Sequence, residues 1–378
     1  MKTPNNPFIT SGYIAKEYFC NREKETRKLI ESTLHGNNIT LISPRRMGKT
    51  GLIIHTFEEL KNHKVCESLY IDIYATRSIS EFIKTLSEAI IEKFPQKTSV
   101  GKKFWEFIKH LRPLISYDPI SGSPQIQINY QTEAEKEQTL HHILQFLDTQ
   151  NKRIIVAIDE FQQITEYPEE NMEALLRSEI QHLKNTSFIF CGSKRHMMLN
   201  IFANNKKPFY ASTQFMFLTE IENETYASFI KELFAKKSRK IEDDAIQFIL
   251  NWTKSHTYYT QSLCNKIYAQ NIRQIDRKFV KKMCAEILEQ NTPIYLQLRE
   301  LLTTKQWNYM IAVAKEESVE QITAQHFLMK YNIGTASNST RLMRTLTEKE
   351  LILETQNMNK TEYRMYDVFF SHWLKNKY

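Results

Sequence analysis

The chain has 378 residues, 41% hydrophobic and 25% charged, with only 8 glycines and 10 prolines. That length makes two or three compact units that fold without disulfide or metal support. The composition excludes dominant disorder, collagen and low-complexity architectures, and a balance of 51 basic to 43 acidic side chains permits a polyanionic partner without demanding one.

In chain order, residues 26–34 read as a helix with Asn21 as its N-cap and Glu23 and Glu25 near the positive dipole end. His35-Gly36-Asn37-Asn38 stops it, and a short apolar strand follows at 39–42, then a loop and an apolar-faced helix at 51–60. A strand is predicted at 65–74 and an amphipathic helix at 80–94. The turn signal over 118–124 predicts a hairpin between 114–117 and 125–128. A helix at 133–149, a continuous apolar strand at 153–158, a helix at 171–183 and a strand at 187–191 come next. From about 221 the strands are expected to stop, with helices at 226–234, 243–253, 261–270 and 280–290. Short helices at about 304–315, 322–329 and 336–347 precede strands at 351–355 and 362–368, which is the winged-helix order.

The longest apolar runs fall far short of the roughly 20 residues of a membrane span. Residues 1–7 lack a signal-peptide stretch, so a cytoplasmic location and no membrane partner are expected. Cys20, Cys66, Cys191, Cys264 and Cys284 show no Cys-x-x-Cys spacing and read as reduced structural thiols. His141-His142 reads as a surface pair rather than a metal site.

The sharpest signal is the strand–loop–helix unit holding Ser43, Pro44, Arg45, Arg46, Met47, Gly48, Lys49, Thr50 and Gly51. A phosphate-cradling loop needs inward backbone N–H groups, a helix N-terminus behind them, a lysine for the outer phosphates and a hydroxyl for Mg²⁺. Gly48-Lys49-Thr50 supplies the last three, while Ser43 stands where the first glycine of the usual pattern would be. Taken alone, Gly-Lys-Thr is also a common chance tripeptide. The strand at 153–158 ends in Asp159 and Glu160, at the edge where parallel sheets bind ligands, and there Asp159 would hold Mg²⁺ through water and Glu160 would polarise an attacking water. The bland alternative is two carboxylates capping a loop. Ser193, after the 187–191 strand, stands where related ATPases keep a γ-phosphate sensor, or is a simple turn residue. The geometric expectation is that Lys49 and Thr50 face the two acids at the mouth of a neighbouring strand.

Phe19-Cys20-Asn21-Arg22-Glu23-Lys24-Glu25 resembles the Phe-x-x-Arg-Glu-x-Glu motif that opens prokaryotic AAA-type ATPases of the archaeal ATPase family. Residues 43–50 are similar to their phosphate loop, Asp159-Glu160-Phe161-Gln162 to their acidic motif and Gly192-Ser193 to their sensor, over about 1–290. The resemblance implies ATP and Mg²⁺ bound by a three-layer α/β P-loop NTPase core (1–218) followed by a helical lid (219–295) and a winged helix (300–378). It places Asn21 and Arg22 near the adenine and implies ATP-driven conformational switching. The family's arginine shortly after the sensor strand has no counterpart in 208–212, which predicts slow turnover, with Arg195 and Arg177 as weaker substitutes. His256-Thr257-Tyr258-Tyr259 lacks the glycine and proline of the family's lid turn.

The tail 301–378 is nearly neutral, ten Lys/Arg against eight Asp/Glu, and offers Asn338, Arg341 and Arg344 for base or phosphate contacts with duplex DNA. Packing or a protein partner explains such a module equally well. The basic run Arg273, Arg277, Lys278, Lys281 and Lys282 suits a solvated face or nucleic acid. Two functional classes stand beside the ATP-driven switch: a DNA-binding regulator with incidental hydrolysis, and a defence-type scaffold for a protein partner. A homo-oligomer is compatible with each.

Overall fold

A computed structural model describes residues 4–62, 65–110, 114–117, 124–127, 130–357 and 360–378. The chain divides into two compact units, residues 11–220 and residues 1–10 with 221–378.

The first unit runs α1 (Glu23–Leu34), β1 (Ile39–Ile42), α2 (Lys49–Leu60), β2 (Cys66–Asp72), α3 (Ile79–Lys93), α4 (Ser99–His110), β3 (Leu114–Tyr117), β4 (Pro124–Gln127), α5 (Glu133–Asp148), β5 (Arg153–Asp159), α6 (Met172–Ile180), β6 (Thr186–Gly192), α7 (Arg195–Ala203) and β7 (Gln214–Phe217). Five strands form a parallel sheet in the order β2-β5-β6-β1-β7. Parallel neighbours require crossovers, and the helices that make them cover both faces. Strand alternation then divides each apolar run between two cores. Ile154, Val156, Ile158, Phe188 and Phe190 pack with Phe82, Leu140, Leu176 and Met198 of α3, α5, α6 and α7. Ile155, Ala157, Ile189 and Cys191 pack with Leu29 of α1 and Leu52, Ile53 and Phe57 of α2. The result is the expected three-layer α/β core. One detail differs from expectation: β6 lies between β1 and β5, so the loop strand and the acidic strand are not neighbours.

The second unit runs α8 (Asn223–Ala235), β8 (Lys240–Ile241), α9 (Asp243–Thr253), α10 (Thr257–Ala269), β9 (Gln274–Ile275), α11 (Arg277–Glu300), α12 (Thr304–Glu316), α13 (Gln325–Lys330), α14 (Ala336–Glu348), β10 (Ile352–Asn357), β11 (Lys360–Met365) and α15 (Val368–Lys377). Its N-terminal strap is tied to α10, where Asn6 Nδ2 donates to the Asn265 carbonyl at 2.9 Å and Asn265 Nδ2 returns a bond to the Phe8 carbonyl at 2.7 Å. Phe8 is buried against Phe234 and Tyr268. Three helices and the antiparallel β10–β11 pair make the winged helix, and Thr303 and Gln306 close a capping box at the start of α12. Helix α15, which the sequence pattern did not suggest, packs back on the preceding helices. Its Trp373 Nε1 donates to Thr292 at 2.8 Å, and His372 stacks on Trp252.

Several local expectations fail for identifiable reasons. Asn21 does not cap α1: Arg22 occupies the N-cap with left-handed φ of 71° and no side-chain cap bond. Strands do not stop at 221, because β8 and β9 pair in parallel over two residues, too short a ladder to leave a periodic pattern. Helix α11 runs through Pro293 to Glu300. Strand β7 and helix α4 were not expected either; β7 is an edge strand of four residues, only one of them buried. The expected hairpin forms as β3 and β4, while the turn at 118–123 and residue 128 lie outside the described residues.

Candidate nucleotide and metal site

The loop between β1 and α2 turns back on itself through two left-handed residues, Arg46 (φ 64°) and Gly48 (φ 92°). At the φ of Gly48 a side chain would be strained, so the glycine serves the turn that delivers Lys49 as the first residue of α2. Ser43 sits fully buried at the loop's start with its hydroxyl donating to the Pro44 carbonyl at 3.0 Å. It is not among the positive-φ residues, which is why the usual first glycine is dispensable here. The first amides of α2 point out of its N-terminus towards this loop, with the dipole favouring an anion.

Lys49 and Thr50 meet both acids. Lys49 Nζ lies 2.7 Å from Asp159 Oδ1 and 2.8 Å from Glu160 Oε1. Thr50 Oγ1 donates to Asp159 Oδ2 at 2.9 Å. The same oxygen accepts the Tyr70 hydroxyl at 3.0 Å, and the Glu160 amide donates to Asp159 Oδ1 at 2.9 Å. Glu160 adopts a left-handed φ of 52°, a conformation that non-glycine residues hold where surrounding contacts enforce it. Its Oε2 accepts Ser193 Oγ at 2.9 Å and Gln162 Nε2 at 2.5 Å. Gly192 makes room for this arrangement, since a Cβ there would lie 2.4 Å from Gln162 Oε1 and 2.4 Å from Met198 Sδ.

The electrostatics follow from burial and pairing. Burial would lower the Lys49 ammonium's pKa, but Asp159 and Glu160 outweigh it and leave it raised. Burial pushes the Glu160 carboxyl up, and Lys49, with help from Gln162 and Ser193, brings it below its ordinary range. Asp72 ends β2 as the register partner of Asp159; burial, then the Asp159 and Glu160 charges, raise its pKa.

These residues fit a triphosphate with Mg²⁺. A hydroxyl and a carboxylate side by side are hard oxygen ligands, and Mg²⁺ is ordinarily held by one or two protein groups together with phosphates. Among the described residues no group of three or more His, Cys, Asp or Glu side chains converges as a metal cage. The buried Lys49 ammonium neutralises both acids here.

Residues 19–263 match the family described as "ATPase domain predominantly from Archaea", and residues 293–376 match the one described as "Probable winged helix domain". The chain belongs to this archaeal ATPase family. Its fold is similar to that of the Walker-type ATPase PABY2304 of Pyrococcus abyssi, with TM-score 0.65 and 19% identity over 98% of this chain and 99% of that one. It is also similar to the Aeropyrum pernix ORC2 protein in its ADPNP–ADP complexes, with TM-score 0.57 and 14% identity over 98% of each chain. The A. pernix ORC1 protein in complex with DNA matches with TM-score 0.50 and 12% identity over 95% of this chain and 93% of that one. No curated protein matches the sequence.

In this archaeal-type ATPase the other sequence candidates fall in varied places. Arg22 is buried, with Nη1 on Glu25 at 3.0 Å and Nη2 donating to the Thr219 carbonyl at 2.6 Å, while Asn21 is exposed beside it. Pro44 and Arg45 are half-buried, Arg46 is exposed and Met47 is buried in the α2-side core. Gly51 faces the Phe19 ring, to which a Cβ would come within 3.2 Å. Arg195 spends its guanidinium over the Phe217 ring at 5.1 Å. Cys191 is fully buried and its thiol is pushed well up by that burial, so it is an inert core group. His141 pairs with Glu179 at 2.7 Å, a carboxylate too distant in sequence to foresee.

On the winged helix, Arg341 and Arg344 are exposed on α14 and Asn338 is half-buried; Arg344 pairs with Glu348 at 2.9 Å. Ser339 anchors that helix, its hydroxyl bonded to Tyr309 at 2.8 Å and to the Ile322 carbonyl at 2.5 Å. No helix among the described residues is long and apolar enough to cross a membrane. Tyr70 and Asp72 were not singled out from the sequence. A tyrosine two residues before a strand-ending aspartate is their faint signal, and it gains meaning only when the register is known.

Proposed function

We propose that the protein is a cytoplasmic, Mg²⁺-dependent ATPase that turns over slowly and works as a nucleotide-driven switch. The carrying observation is the Lys49–Asp159–Glu160 triad closed by Thr50 and Ser193. In this reading residues 1–218 form the catalytic core, 219–295 the lid and 300–378 the winged helix, with Asn6 and Phe8 of the N-terminal segment bonded to Asn265 of the lid. The loop 43–51 cradles the phosphates, and Asn21 and Arg22 lie towards the adenine. Mg²⁺, when bound, neutralises phosphate charge that develops during transfer. On ATP arrival Lys49 leaves the acids for the β/γ-phosphates; Thr50 and Asp159 are then the metal's protein partners. Release of Lys49 also frees Glu160 Oε1 to accept a proton from an attacking water, while Ser193 passes from Glu160 to the γ-phosphate. Slow turnover follows from a segment 208–212 without arginine and from an Arg195 already stacked on Phe217.

The test compares wild type with Glu160→Gln. ATP affinity stays within a few-fold while hydrolysis falls at least about 100-fold, the range for loss of a general base. Equal hydrolysis rates would remove Glu160 from the mechanism, and unaltered ATP affinity in Lys49→Ala would refute the site.

A second reading makes the winged helix a duplex-DNA binder. Exposed Arg341 on α14, with no ion pair among the described residues, favours it, and one structural neighbour was solved with DNA. Arg341→Ala should then weaken duplex binding and flatten its salt dependence by about one unit of slope. Binding indifferent to both salt and Arg341 refutes this reading and leaves a protein partner.

A further inference from the structure

We propose that Tyr70 is a positioning residue for Asp159: its hydroxyl holds the carboxylate's Oδ2 in the orientation that the magnesium–nucleotide complex meets. The proposal rests on the nucleotide-site reading above. Asp159 has four donors. Lys49 Nζ and the Glu160 amide occupy Oδ1 at 2.7 and 2.9 Å, and Thr50 and Tyr70 occupy Oδ2 at 2.9 and 3.0 Å. Two of these partners change duty when nucleotide binds, since Lys49 leaves for phosphate and Thr50 turns to the metal. Tyr70, which also lies within hydrogen-bonding reach of Thr50, is the side-chain donor that this reading assigns to neither phosphate nor metal. Without it, once Lys49 and Thr50 have both changed partners, a nearly buried carboxylate is held on one oxygen only, by the Glu160 amide, and is free to rotate away from the metal.

The sheet explains why a tyrosine at this position reaches the acid. Tyr70 and Ala157 are register partners on β2 and β5, and two residues on Asp72 pairs with Asp159. Side chains two apart share a face, and the diagonal from Tyr70 to Asp159 is a span that long aromatic side chains bridge. Ala157 opposite contributes only a methyl group, so the diagonal is open. The ring packs against the core cluster that includes Leu52 and Ile155, which fixes the direction of the hydroxyl.

The test is Tyr70→Phe in the full-length protein, which keeps the ring and removes only the hydroxyl. Calorimetric titration with ADP and with ATP, in EDTA and in excess Mg²⁺, gives the factor by which magnesium tightens binding. Because that factor is a ratio within one preparation, a partly inactive sample does not alter it. Tyr70→Phe should keep the EDTA affinity within about twofold and lose about tenfold of the magnesium factor, the worth of one hydrogen bond to a charged group. Asp159→Asn supplies the reference loss. A magnesium factor equal to wild type, or equal weakening in both buffers, overturns the assignment while the nucleotide site stands. A wild type that binds nucleotide in neither buffer overturns the site reading, and the Tyr70 role with it.

Discussion

Replacing Lys49 by methionine separates its electrostatic work from its packing. The ammonium bridges Asp159 and Glu160 at 2.7 and 2.8 Å, and the three side chains are only 9%, 4% and 17% exposed. Methionine keeps most of the volume, so little packing is lost. What remains is two carboxylates in one poorly solvated site, and removing one partner of a buried ion pair costs about 3–5 kcal/mol. For a unit of this size that is a fall in thermal midpoint on the order of 10 °C. Denaturation of the nucleotide-free protein by heat and by urea measures it.

The sign with pH is specific. In wild type the folded-state pKa of Glu160 is lowered, so its contribution is present above the ordinary value of 4.5 and is lost as pH falls through the folded value. In Lys49→Met burial, the largest influence, acts with the neighbouring acid against the remaining bonds from Gln162 and Ser193, the folded-state pKa rises, and acid relieves the variant instead. The gap between the two proteins should therefore narrow as pH is lowered from neutrality towards 5. A methionine variant within about 1 kcal/mol of wild type, or a gap independent of pH, would refute the reading of this cluster as an ion-paired site.

Gly192→Ala should cost about 1–3 kcal/mol in urea unfolding, since the new methyl group overlaps Gln162 and Met198; moving Gln162 off Glu160 should also lower kcat while leaving KM near its wild-type value. His372 donates to the Trp252 carbonyl at 2.7 Å, and burial lowers its pKa from 6.5. The unfolded chain therefore takes up the proton first, and the 221–378 unit should lose stability as pH falls below about 6.5. His372→Asn should lack that acid-sensitive component, which denaturation at pH values either side of 6.5 checks; an identical pH response in the variant excludes His372 as its source.

Much of the core was legible because local and global demands coincide there. Residues 154–158 and 188–191 are continuously apolar and 39–42 is apolar except for Thr40, a pattern that suits strands buried on both faces, and β1, β5 and β6 are those strands. Gly48-Lys49-Thr50 was legible because a tight left-handed turn into a helix N-terminus constrains residue type locally. Strand β7 was not, since a short edge strand buries too little to force a pattern. Helix α15 was missed because its aromatic residues answer to the helices it packs on, not to its own neighbours in sequence.

The amino-acid order by itself determined which residue types stand at the carboxyl ends of three strands: a lysine and a threonine, two acids and a serine. It could not determine that β6 is inserted between the other two, so that Ser193 falls within reach of Glu160. Nor could it show that the register of β2 on β5 brings Tyr70 to Asp159. Strand order and register arise from how helices cover the two faces of the sheet, a property of the packed molecule that no short window of sequence contains.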